Sequence, residues 1–68
     1  MPGTYKITEV VGTSPLSFAE ATKAGVAEAA KTLRQMEWFE VVEERGKIMN
    51  GAVAEFQVTL KIGFKIER

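Results

Sequence analysis

Every even-numbered position from Ala52 to Ile66 is apolar: Ala52, Ala54, Phe56, Val58, Leu60, Ile62, Phe64 and Ile66. The intervening positions, Val53, Glu55, Gln57, Thr59, Lys61, Gly63 and Lys65, are mostly polar. Alternation with period two predicts a strand with one buried and one wetted face. Tyr5 to Val11 (YKITEVV) is rich in β-branched residues and predicts an earlier strand, ended by Gly12-Thr13-Ser14-Pro15. Glu37 to Met49 predicts another strand, joined to the last by Asn50-Gly51, a pair suited to a type I′ hairpin turn.

Between the first two strands lies a helical pattern. Phe18, Thr22, Gly25, Ala29 and Leu33, with Ala21 and Val26 alongside, recur at spacings of three and four. Two starts compete. Ser14 is a possible N-cap with Pro15 at the first helical position, and Ser17 with Glu20 forms a capping box, S-F-A-E. Either helix is expected to run to about Gln35. Gly25 in its middle costs roughly 1 kcal/mol relative to alanine, so a close approach to the sheet is the expected reason for it. The fold class is therefore α+β, with element order β-α-β-β and a three-stranded antiparallel sheet wrapped around one helix. Residues 1–68 are expected to form a single domain.

A two-residue loop fixes the hairpin register. Met49 faces Ala52, Glu40 faces Lys61, Val41 faces Leu60, Phe39 faces Ile62, and Trp38 faces Gly63. Val41 and Phe39 are expected on the inner face, against the helix. Trp38 and Gln57 fall on the outer, polar face, where the same register puts Glu44 opposite Gln57. Glu43, Arg45 and Lys47 then fall on the inner side, which predicts a bulge, or a departure from the core, near Glu43. Residues 52–66 as one strand span roughly 50 Å, whereas a compact chain of this length has a radius of gyration of only about 11 Å. The hairpin must curl around the helix or project beyond it. A projecting hairpin exposes edges and apolar surface that small proteins cover with another subunit, so an oligomer is expected.

Composition narrows the chemistry. The 68 residues include no cysteine and no histidine. Disulfides are thereby excluded, and so are the commonest transition-metal ligand and the commonest general base at neutral pH. No metal site is expected. Nine acidic and nine basic residues cancel, so the broad positive field that non-specific nucleic-acid binding requires is missing. No apolar run reaches membrane-spanning length and no secretory signal precedes Tyr5; the expected location is the cytoplasm, with no membrane partner. Ser14 and Ser17 lack a histidine to activate them. Glu40 and Glu44 share a strand face, but an ion-paired or solvated face explains them. No enzyme is expected.

Four residues are candidates for binding. Trp38 reads as a stacking platform for a planar ligand, with Gly63 opposite leaving open space above the ring, or as a tryptophan buried at a subunit contact. Gln57 offers both a donor and an acceptor to the edge of a heterocycle, or is a solvated strand residue. The two lie six positions apart on the outer face, about 20 Å along the strand. One ring system cannot touch both within one chain, so a shared ligand requires a site across a subunit interface. Arg45 and Lys65 are candidates for a ligand phosphate, Arg45 in a bidentate manner, or are ordinary surface charges.

Several blocks resemble the dodecin family: V-V-G-T-S-P near the start, K-T-L-R before E-W-F-E-V, then E-R-G, and F-Q-V-T-L-K-I-G-F-K near the end. The resemblance spans Tyr5 to Glu67. It implies a β-α-β-β subunit assembled into a hollow homododecamer of cubic symmetry type. It also implies flavin binding (riboflavin, FMN or lumichrome, depending on the member), with two isoalloxazine rings paired at a twofold axis. In the family a tryptophan lies outside each ring and glutamines contribute from the inner side; Trp38 and Gln57 match those positions. Arg45 matches the basic residue of the E-R-G block. Lys65 stands where bacterial members carry an arginine, which keeps the charge but loses the planar fork. Some members also bind coenzyme A through basic residues on the helix. Glu28 and Ala30 stand where such a member has basic residues, which argues against coenzyme A here, although Lys31 and Arg34 remain.

The function so implied is flavin storage, buffering and photoprotection, without catalysis. The alternative is a structural oligomeric assembly with no physiological flavin. A single-strand nucleic-acid module using Trp38 as a base platform is disfavoured by zero net charge and a lone tryptophan.

Overall fold

The computed structural model describes residues 3–66. Strand β1 (Tyr5–Ser14) is followed by helix α1 (Phe18–Ala29), strand β2 (Met36–Met49) and strand β3 (Ala52–Lys65). The three strands form one antiparallel sheet in the order β1-β3-β2. The alternating strand is thus central and the other two are edges. Positive φ at Asn50 (54°) and Gly51 (77°) is the backbone of a type I′ turn.

Strand β1 outlasts its sequence signal by three residues. Gly12, Thr13 and Ser14 continue the ladder opposite Val58, Gln57 and Phe56. The competition between helix starts is settled for Ser17, whose hydroxyl accepts the Glu20 backbone N–H at 3.0 Å. Ser14 instead accepts the Leu16 N–H at 2.9 Å and closes the turn out of the strand. Replacing Ser17 with alanine should destabilise the chain by about 1 kcal/mol. Thermal unfolding followed by circular dichroism should show this as a melting point about 4–8 °C lower.

The helix ends earlier than the expected Gln35. After Ala29 the backbone tightens, with Lys31 and Thr32 donating to carbonyls three residues back, Glu28 and Ala29. Gln35 then takes φ 62°, and its carbonyl accepts the Lys65 N–H at 3.0 Å. Local helix propensity of residues 30–35 yields there to the sheet, which needs the chain back at its edge.

The inner face holds the core. Ala21, Val58 and Leu60 are fully buried, with Val10, Phe18, Val26 and Phe56 packed around them. Phe18 meets Phe56 edge-on, with centroids 5.0 Å apart. Gly25 does mark a close approach: a methyl group there would sit 3.0 Å from Leu60 Cδ1 and 3.2 Å from the Cα of Gly12.

The helix lies over β1 and β3, which corrects one expectation. Phe39 and Val41 do oppose Ile62 and Leu60, but they lie on an edge strand that the helix leaves uncovered, and they remain 51% and 42% exposed. The hairpin projects: the molecule measures 53 × 20 × 13 Å, with a radius of gyration of 14.0 Å. Large apolar side chains, among them Ile7, Val11, Ile48 and Met49, are also exposed.

Candidate functional site

A local shift of pairing builds the outer face. Near the open end of the hairpin the expected register holds, with Trp38 opposite Gly63, Glu40 opposite Lys61 and Val41 opposite Leu60. The next pair is Glu43 with Thr59, so Val42 is an extra residue in β2, a bulge close to the expected place. It reverses the side-chain phase. Glu43, Arg45 and Lys47, nominally inward in an unbroken strand, join the outer face beside Thr59, Gln57 and Glu55. A second shift, which skips Ala54 in β3, restores the phase before the turn. Gln57 therefore faces Arg45, not Glu44.

The shift brings two of the four candidates into contact. Arg45 Nη1 donates to Gln57 Oε1 at 3.3 Å. Its Nη2 donates to Glu43 Oε1 at 2.9 Å and to Thr59 Oγ1 at 2.7 Å. Gln57 Nε2 donates to Glu55 Oε1 at 2.9 Å, and Lys47 Nζ stands 3.8 Å from the same carboxylate. Both terminal nitrogens of Arg45 are thus committed to the sheet, and Glu43 offsets its charge. The guanidinium braces the glutamine, and three of its five N–H groups are used in these contacts.

The other two candidates lie at the opposite end of the face. Trp38 sits opposite Gly63, and Lys65 follows two residues later on the same side, paired with Tyr5. The space expected above Gly63 is filled. A methyl group on Gly63 would overlap the six-membered ring of Trp38, so the indole lies directly on the β3 backbone. Tyr5 tilts against it, with centroids 5.0 Å apart and planes at 56°. Held from these two directions, Trp38 is still 42% exposed. Lys65 is exposed and makes no salt bridge among the described residues.

The two pairs, Trp38 with Lys65 and Arg45 with Gln57, are separated by the six residue steps of β3 from Gln57 to Gly63, about 20 Å. A planar ligand that uses both pairs must lie between copies of the chain. Tyr5, Glu55 and Thr59 are neighbours of the candidates that the residue pattern does not single out. Glu55 and Thr59 flank Gln57 at the two-residue spacing that places all three on one strand face. Glu43, inward in an unbroken register, reaches this face through the phase reversal.

Comparison with known proteins converges on one family. The dodecin family model matches residues 4–67. Dodecin from Thermus thermophilus is 49% identical over 63 residues, covering 93% of this chain and 91% of that protein. The structure of dodecin from Streptomyces coelicolor superimposes with a TM-score of 0.94 at 50% identity, covering 97% of this chain and 94% of that one. Dodecin from Streptomyces davaonensis gives 0.96 at 43% identity over all of both chains. The chain belongs to the dodecin family of small flavin-binding proteins.

Proposed function

We propose that this chain stores and buffers flavin in the cytoplasm as a hollow homododecamer. Isoalloxazine rings are held in pairs at subunit interfaces, each between Trp38 and Gln57, and are protected there from photochemistry. The observation that carries this reading is the indole of Trp38, seated on Gly63 and steadied by Tyr5 yet 42% exposed. A large aromatic surface fixed in place and left uncovered suits a flat guest. Gln57 suits its edge. With one bond to Arg45 and one to Glu55, the amide keeps a second lone pair on Oε1 and a second hydrogen on Nε2. An isoalloxazine offers the complement, an imide N–H between two carbonyls.

Assembly follows from the same geometry. Trp38 and Gln57 serve one ring only if neighbouring subunits each contribute. The exposed Phe39, Val41, Ile7 and Val11 supply apolar surface for such contacts. Rings enclosed in pairs have no face open to a substrate, which makes this a binding protein and not a catalyst. Lys65, two residues beyond the Gly63 on which Trp38 rests, is placed to meet the phosphate of FMN.

Titration of riboflavin and FMN, followed by flavin fluorescence alongside sizing chromatography, tests the reading. Both flavins should be quenched on binding to a particle of about twelve subunits. Because Lys65 is a single exposed charge beside the Trp38 platform, FMN and riboflavin should differ by about tenfold or less in Kd. That difference should shrink with salt. Protein that leaves riboflavin fluorescence unchanged would favour a structural assembly without a flavin.

A further inference from the structure

We propose that Glu55 and Arg45 are positioning residues that fix the polarity of the Gln57 amide, so that the flavin edge meets a donor and an acceptor in a preset order. This rests on the reading of Gln57 as a flavin contact. An unrestrained glutamine amide can turn over, exchanging its oxygen and nitrogen at little cost. Here it cannot. Guanidinium nitrogens only donate, so the group facing Arg45 Nη1 at 3.3 Å must be the oxygen. An ionised carboxylate only accepts, so the group facing Glu55 Oε1 at 2.9 Å must be the nitrogen. A flipped amide would set N–H against Arg45 and C=O against Glu55, losing both bonds and creating two repulsive contacts.

The clamp is itself braced. Arg45 is pinned by Glu43 and Thr59 at 2.9 and 2.7 Å. Glu55 has Lys47 at 3.8 Å. Two carboxylates and two cations enclose one neutral amide, so the surroundings of Gln57 carry no net charge and act on a ligand through hydrogen-bond order. The bulge at Val42 is what makes this possible, because without the phase reversal Arg45 would point to the other face. Preorganisation of this kind raises affinity by removing the cost of ordering the amide at binding.

The test is a double-mutant cycle on the assembled protein, with riboflavin as the probe. Glu55→Ala should weaken riboflavin about five- to tenfold, the worth of one lost hydrogen bond to a binding group. In a Gln57→Ala background the same substitution should cost less than twofold, because nothing remains for it to orient. Glu55→Gln keeps an acceptor oxygen of the same reach and should recover most of the affinity. Arg45→Lys, which loses the fork, should show the same dependence on Gln57. It provides an independent cycle if Glu55→Ala fails to assemble on sizing chromatography. Equal costs with and without Gln57 would overturn the positioning role while leaving the flavin reading intact. Absence of riboflavin binding to the unaltered protein would overturn both.

Discussion

Gly12→Ala should be the most damaging single-methyl change in the chain, lowering stability by about 3 kcal/mol or more. Gly12 lies on the inner face of β1, where the helix crosses. A methyl group there would overlap the backbone carbonyl oxygen of Ala21 and come within 3.0 Å of the Cα of Gly25. Both neighbours are backbone, so no side chain can swing aside; the whole helix would have to lift from Val58 and Leu60. A chain of 68 residues has a total stability of only about 3–10 kcal/mol. Thermal unfolding at fixed protein concentration should therefore show a melting point about 12 °C lower or more, or no cooperative transition. Two other glycines serve as internal comparisons. Gly25→Ala meets the movable end of Leu60 at 3.0 Å and the Gly12 backbone only at 3.2 Å, without overlap, and gains about 1 kcal/mol of helix propensity, so its net loss should be smaller. Gly51→Ala has open space around it and only a φ of 77° to oppose it, a cost of about 1 kcal/mol. A mild effect at Gly12 would mean that the helix does not seat on β1 as described.

Much of this fold can be read from the sequence because its signals are local and agree with one another. Alternation through Val58, Leu60 and Ile62 marks the core face of β3, and the Asn50-Gly51 turn sets the pairing that carries Trp38 opposite Gly63. What is not legible depends on three-dimensional closure. The sequence shows that Arg45 and Lys47 conflict with an unbroken strand, which is enough to place a bulge. It does not show that the bulge resolves the conflict by handing Arg45 to Gln57. The length of the helix is equally non-local. Residues 30–35 are acceptable in a helix, but the chain must return to the sheet beside Lys65. Gly63 misleads for a related reason. A missing side chain suggests room, yet a neighbouring indole fills it, and the glycine works by letting Trp38 lie flat on the strand.

Trp38→Ala should weaken riboflavin binding by on the order of 2 kcal/mol, about thirtyfold in Kd, and should restore much of the fluorescence of whatever flavin still binds. The two effects have separate origins, and Trp38→Phe separates them. If the affinity rests on apolar area and ring stacking at Trp38, as proposed, phenylalanine, smaller but still flat, should retain part of it. On the proposed reading, quenching requires electron donation by an indole in contact with the excited ring, followed by return of the electron; phenylalanine is far harder to oxidise and should not supply it. The phenylalanine variant should therefore bind flavin with intermediate affinity and leave it fluorescent. Gly63→Ala offers a second approach that spares the indole itself. Its methyl group would drive the Trp38 ring off the β3 backbone, so binding should weaken although no contacting side chain has been removed. Sizing chromatography of each variant distinguishes loss of the ligand from loss of the assembly. If quenching persists undiminished in Trp38→Phe, the indole is not the electron donor and photoprotection must be assigned elsewhere; if affinity also survives in Trp38→Ala, the ring does not rest on Trp38 at all.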